Sequence, residues 1–120
     1  MRAQDILLLL VGIGGSYAMN FTKTCTTLGL EGHMLFAKCQ KLNHSDRAAP
    51  LDLNTCLGYK DGIIQRGENA IGNSACSFCA LDKAWLQCMC YQGGGIIAPS
   101  APFNLDNIIS NHDGELHCDA

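Results

Sequence analysis

The chain has 120 residues, 48% of them apolar, with eight Lys and Arg against eleven Asp and Glu and a formal net charge of −3. It contains no basic run, which argues against nucleic acid and anionic membranes as partners, since both are held by clustered Lys and Arg. Eight cysteines in so short a chain point to a disulfide framework and an oxidising compartment.

At the N-terminus Arg2 precedes an apolar run, Ile6 to Ile13, broken only by Gly12. Ser16-Tyr17-Ala18 then supplies the small residues at −3 and −1 of a signal-peptidase site. The run is too short to span a bilayer. This predicts a secretory signal over residues 1–18, cleavage after Ala18, and a mature single domain over 19–120.

The mature part is one pattern written twice. Cys25 and Cys39 recur as Cys76 and Cys90, and Leu35 recurs as Leu86, all at a shift of 51 residues. After one inserted residue the shift is 52, mapping Leu53 to Leu105, Asp61-Gly62 to Asp113-Gly114 and Ile64 to Leu116. Repeat 1 covers about 19–70 and repeat 2 about 71–120. Two copies are too few for an open solenoid, so a compact pseudo-twofold domain is expected.

In chain order, Phe21 to Cys25 and Leu30 to Cys39 alternate or run apolar, with Gly29 and Gly32 as turns between them, which predicts a hairpin or meander. Asn43 to Pro50 reads as a flexible loop. Leu51-Asp52-Leu53-Asn54 predicts an extended piece and a helical turn capped by Asn54. Asp61-Gly62 between short apolar pieces predicts a tight hairpin. Arg66 to Asn69 is the polar joint between the halves. Ala75 to Tyr91 repeats the first hairpin, with Asp82-Lys83 at its turn, and Gly93 to Gly95 is a second flexible loop. Phe103-Asn104-Leu105-Asp106 repeats the helical turn, capped by Asp106, and Asp113-Gly114 repeats the tight hairpin.

All eight cysteines lie in the mature part, and eight allow 105 pairings. The repeat reduces these. Cys25–Cys39 and Cys76–Cys90 are equivalent and should each close within one half. Cys79 and Cys88 stand where repeat 1 has Leu28 and Ala37, an apolar pair expected to face across a hairpin, and a disulfide can replace such a pair. Cys56 and Cys118 remain, and would tie the end of the first half to the C-terminus. Cys76-Ser77-Phe78-Cys79 matches a CxxC redox or zinc motif only superficially, because no βαβ pattern surrounds it and His33, His44, His112 and His117 do not complete a metal site with it. Asn20-Phe21-Thr22 and Asn43-His44-Ser45 are N-glycosylation sequons, and Asn43, in a loop, is the better candidate.

Phe21-x-x-Thr24-Cys25, Leu35-x-Ala37-x-Cys39, Leu51-Asp52-Leu53-Asn54 and Asp61-Gly62 resemble the cyanovirin-N homology family. Cys76, Leu86 to Cys90, Leu105, Ile108 to Gly114 and Leu116 resemble that family's second repeat. The likeness covers Phe21 to Cys118, and the extra cysteines 56, 79, 88 and 118 look like its secreted, cysteine-rich fungal branch. It implies an all-β, pseudo-twofold, disulfide-stapled fold, each lobe a three-stranded sheet and a hairpin, with strands exchanged between repeats and the C-terminus back on the first lobe.

The resemblance also implies a lectin for mannose-type oligosaccharides that uses no metal, no cofactor and no catalysis. Its partners would be oligosaccharides or glycoproteins, and it would be a monomer or a domain-swapped dimer. The first-lobe sugar site would fall on Lys23, Thr24, Gln40, Leu42, Asn111, His112 and Asp113. Asn111 and Asp113 are equally what a tight turn uses. The second-lobe site departs from the family: Tyr59 replaces its turn Asn, Tyr91, Gln92 and a glycine run replace its polar residues, and Ala75 stands where a Thr matching Thr24 is expected. Tyr59 or Tyr91 could stack on a sugar ring. The other expectation is a secreted protein-interaction module or effector that keeps the fold without sugar binding.

Overall fold

The computed structural model describes residues 20–72 and 75–119. The expected signal segment, 1–18, lies outside the described residues. The fold is all-β. Repeat 1 gives β1 (Cys25–Glu31), β2 (Met34–Gln40) and β3 (Asp46–Asp52), then the hairpin β4 (Leu57–Lys60) and β5 (Ile63–Arg66). Repeat 2 gives β6 (Cys76–Asp82), β7 (Trp85–Gly93), β8 (Ile96–Pro99) and β9 (Phe103–Asn104), then the hairpin β10 (Ile109–His112) and β11 (Glu115–Cys118). Short 3-10 turns at Phe21–Lys23, Leu53–Thr55 and Leu105–Asn107 punctuate these strands.

Each sheet runs in chain order, β1-β2-β3 and β6-β7-β8, with β9 also on β7. The C-terminal hairpin does not return to its own sheet: β11 packs along β3 of repeat 1. The middle hairpin in turn brings its Gly62 against Gln92 of repeat 2. Each lobe is thus a sheet from one repeat closed by a hairpin from the other. β1 and β6 touch across the lobe junction, and the body is elongated, 51 × 28 × 22 Å.

Alternation on the strands drives this arrangement. In β2, Leu35, Ala37 and Cys39 are buried while Phe36 and Lys38 face outward, and β7 repeats this with Leu86, Cys88 and Cys90. Phe21, Leu53, Leu57, Leu105, Ile108 and Ile109 fill the rest of one continuous core. Both Asp-Gly turns have positive φ at both residues, 54° and 84° at Asp61-Gly62 and 52° and 89° at Asp113-Gly114, the backbone of a two-residue primed turn.

Four bridges staple the body, Cys25–Cys39, Cys76–Cys90, Cys79–Cys88 and Cys56–Cys118. Cys25 faces Cys39 and Cys76 faces Cys90 directly across their ladders. Both ladders then slip, between Thr27 and Gly29 and between Ser77 and Ala80. This bulge corrects one expectation. Leu28 does not bury against Ala37; the extra residue turns it outward, and it is 63% exposed. Cys79 occupies the same bulge and is drawn back to Cys88 by its disulfide.

Other expectations are revised for physical reasons. Asn43 to Pro50 is not a loop throughout, since Asp46–Asp52 forms the third strand by pairing with β2. Gly29 lies within β1 and Gly93 within β7. Phe21–Lys23 is a 3-10 turn rather than a strand. The caps of the later 3-10 turns are Asp52 and Asn104, whose side chains accept from the amides of Asn54 and Asp106. Asn54 instead pairs with the backbone of Ile71, donating to its carbonyl and accepting from its amide at 2.9 Å each. Asp106 accepts from the amide and hydroxyl of Thr22, tying the start of repeat 1 to repeat 2.

Candidate carbohydrate-binding site

Three remote segments meet on the first lobe: the approach to β1, the end of β2 and the β10–β11 turn. The Gln40 amide donates to the Thr24 carbonyl at 2.9 Å, setting the first two side by side. The hairpin of repeat 2 then locks onto both. The Asn111 side-chain amide donates to the Thr24 hydroxyl and to the Gln40 carbonyl, at 2.9 Å each. Its own oxygen accepts from the Gly114 amide at 2.7 Å. Asp113 Oδ1 accepts from the Leu42 amide at 2.8 Å. A side chain at position 114 would press into Lys41 and Arg47, which fixes the glycine there by close approach as well as by its φ of 89°.

This clamp decides what the site has left to offer. Asn111 spends both its amide hydrogens and one lone pair of its oxygen inside the protein, and so ties the three segments together. The exposed remainder is the Lys23 ammonium, the donor hydrogen of Thr24, the Gln40 side-chain amide and the second oxygen of Asp113. That is a set of donors beside an acceptor on an open surface, the complement of a vicinal diol. Leu42, 83% exposed, adds an apolar edge.

His112 does not join this set. Alternation puts it on the opposite face of β10 from Asn111, with Ser110. There its Nε2 lies 2.7 Å from the Ser110 hydroxyl, which also donates to Asp119 at 3.0 Å, and its ring lies 4.7 Å from that of His117. The buried serine stands between the other two groups, so this is not a Ser-His-Asp relay, in which the histidine must stand between.

The second lobe keeps the backbone frame and loses the clamp. Tyr91 donates its amide to the Ala75 carbonyl at 3.0 Å, as Gln40 does to Thr24. Alanine offers no hydroxyl, and Tyr59 at the Asn111 position cannot make a triple bond set. Its ring packs on the core, and its buried hydroxyl has no partner among the described residues. Gln92 lies over Gly62 and donates to the Cys90 carbonyl at 3.4 Å. Tyr91, 41% exposed, pairs across the ladder with Ile97, and Ile63, Ile96 and Ile97 are exposed.

Sequence reasoning missed Lys41 and Arg47, which cradle Gly114, and the 3.6 Å pair between Arg47 and Glu115. It also missed a groove of about 260 Å³ between Arg47–Pro50 of β3 and Gly114–His117 of β11. The available signal was the charged pair Asp46-Arg47, masked by assignment to a loop. Among the described residues no group of three or more His, Cys, Asp or Glu side chains is placed to hold a metal ion.

Sheet from one repeat, hairpin from the other and a clamp at their junction define a strand-exchanged, two-lobed all-β domain. The CVNH domain model matches residues 21–117, and the chain belongs to this cyanovirin-N homology family. Among solved structures it is similar to a CVNH protein of Gibberella zeae, at 27% identity over 84% of this chain and 98% of that one, with a TM-score of 0.72. It is also similar to microvirin, solved as a mannobiose complex, at 27% identity over 83% and 98%, with a TM-score of 0.67. A MoCVNH3 variant solved with (N-GlcNAc)4 shares the fold at 20% identity, over 87% and 99%, with a TM-score of 0.73. No curated protein matches the chain.

Proposed function

We propose that the protein is a secreted lectin whose first lobe binds mannose-type oligosaccharides through Lys23, Thr24, Gln40 and Asp113, with Asn111 as the positioning residue and no metal. The observation that carries the reading is the clamp. It fixes the Thr24 hydroxyl, the Gln40 backbone and the Asp113 carboxylate side by side at the protein surface, and a shallow, wet sugar site is built on such polar groups. Family membership supports carbohydrate binding, and the mannobiose complex of microvirin supports mannose. Four bridges with no free cysteine among the described residues support secretion.

Titration calorimetry of the full protein with an oligomannose, repeated with a chelator and with an N-acetylglucosamine oligomer, tests this. Heat from the mannose ligand that survives the chelator is expected. Absence of heat at millimolar sugar, or its loss with the chelator, overturns the reading. A second reading, a protein-interaction module, is favoured by the exposed Tyr91, Ile96 and Ile97 on the second lobe. It becomes the better one if folded protein binds no sugar.

A further inference from the structure

The structure discriminates between the two sequons. In Asn20-Phe21-Thr22 the central Phe is fully buried, and the Thr22 amide and hydroxyl are both bound to Asp106. The Asn20 amide donates to the Asp106 carbonyl at 2.7 Å. Once the chain has folded, the Phe and Thr of this sequon are therefore closed to an enzyme. Asn43-His44-Ser45 lies exposed in the turn between β2 and β3. Lys41 donates its amide to the Ser45 carbonyl at 2.7 Å, and His44 donates to the Lys41 carbonyl at 2.9 Å. Asn43 Oδ1 accepts from the Ser45 amide at 3.0 Å and from its hydroxyl at 2.6 Å. Asn43 Nδ2 has no hydrogen-bond partner among the described residues. The oxygen is thus held inside the turn and the nitrogen faces solvent. A substituent on that nitrogen would leave both Oδ1 contacts in place.

We infer that Asn43 is an N-glycosylation acceptor and that the glycan it carries roofs the first-lobe site; the second half of this inference rests on the proposed sugar-binding reading. In the transfer, Asn43 Nδ2 forms a bond to C1 of the first sugar of a polyprenyl-pyrophosphate-linked oligosaccharide. The C1–O bond to the pyrophosphate breaks, polyprenyl pyrophosphate leaves, and the Nδ2 proton passes to a base of the transferase. The four disulfides place folding in the oxidising compartment where such transfer occurs. Position supplies the consequence. Asn43 adjoins Leu42, whose amide binds Asp113, and lies three residues from Gln40, whose carbonyl holds Asn111. A branched sugar rooted there rises from the rim of the site and presents to it the same class of ligand.

The test is secretion of the full chain from a eukaryotic cell line. Intact mass is measured before and after peptide-N-glycosidase. A mass excess removed by the enzyme, absent in Asn43→Gln and Ser45→Ala and retained in Asn20→Gln, is expected. An unshifted wild-type mass, or an excess that persists in Asn43→Gln, overturns the acceptor assignment. For the roof, a mannotriose titration compares wild-type glycoprotein with Ser45→Ala from the same cells. If the tethered glycan fills or covers the site nine-tenths of the time, the glycoprotein binds about tenfold more weakly. Equal affinities overturn the roof. If neither variant nor enzyme-treated wild type binds sugar, the site reading fails and the roof with it, while the mass result still decides Asn43.

Discussion

Removing the Cys56–Cys118 bridge should be the most destabilising of the disulfide deletions that leave the hairpin rungs intact. The bridge joins the entry to β4 to the end of β11, across a sequence separation of 62 residues. Cys76–Cys90 short-circuits part of that loop, leaving roughly 50 residues to be closed, and the chain-entropy relation then assigns the bridge about 4 kcal/mol. Cys79–Cys88 closes 9 residues already enclosed by Cys76–Cys90, so it should contribute about 2 kcal/mol or less. The Cys56→Ala/Cys118→Ala protein should still fold. Ile108 and Ile109 remain in the core, and Arg66 still donates to the carbonyls of Asp119 and Asn107. Guanidinium unfolding of both double variants, read by circular dichroism, gives the ranking. Hydrogen exchange should show the loss concentrated in β10–β11, the hairpin that carries Asn111 and Asp113. A Cys79→Ala/Cys88→Ala variant as destabilised as the Cys56→Ala/Cys118→Ala variant would refute the loop-closure argument.

Asn111→Ala removes three hydrogen bonds and should cost about 2–3 kcal/mol of stability as well as mannoside affinity, so thermal unfolding must be read alongside calorimetry. Asn111→Ala protein that unfolds like wild type would show that the clamp is not closed in solution. Phe78 holds a left-handed φ of 49° while 89% exposed, so Phe78→Asn should raise stability by about 1 kcal/mol, seen as a higher melting temperature. Tyr59→Phe deletes a buried hydroxyl without a partner and should be neutral or stabilising by up to about 1 kcal/mol, with mannoside affinity unchanged. Exchange of halves at Arg66 to Asn69 keeps the contacts outside the hinge but makes Cys56–Cys118 a bridge between chains. Refolding at high concentration under oxidising conditions should therefore give a dimer on size exclusion that survives non-reducing electrophoresis, and a dimer that dissociates there would count against this hinge.

What was legible in the sequence was what spacing encodes. The cysteine repeat, the alternation of Leu35, Ala37 and Cys39, and the two Asp-Gly turns are local signals, and each has its counterpart in the fold. The third strand was not legible, because Asp46-Arg47-Ala48-Ala49-Pro50 has little β-propensity and is ordered by its register on β2, with Ala49 buried. The bulge that exposes Leu28 depends on ladder register rather than composition. At the site, resemblance placed Thr24, Gln40, Asn111 and Asp113, yet it could not say which of them remain free. That depends on bonds spanning 87 and 71 residues, through which Asn111 commits both of its amide hydrogens to Thr24 and Gln40. The same fact explains why the repeat does not duplicate the clamp. The backbone bond between the flanking strands recurs as Tyr91 to Ala75, but a clamp needs a hydroxyl at 75 and an amide at 59, and the chain has neither. Two lobes of one fold are therefore chemically unlike. One presents a preorganised polar surface, and the other presents Tyr91, Ile96 and Ile97. Ala75→Thr and Tyr59→Asn together should rebuild all three bonds of the missing clamp, whereas Tyr59→Asn alone can make only the two that use the backbone of Tyr91 and Gly62.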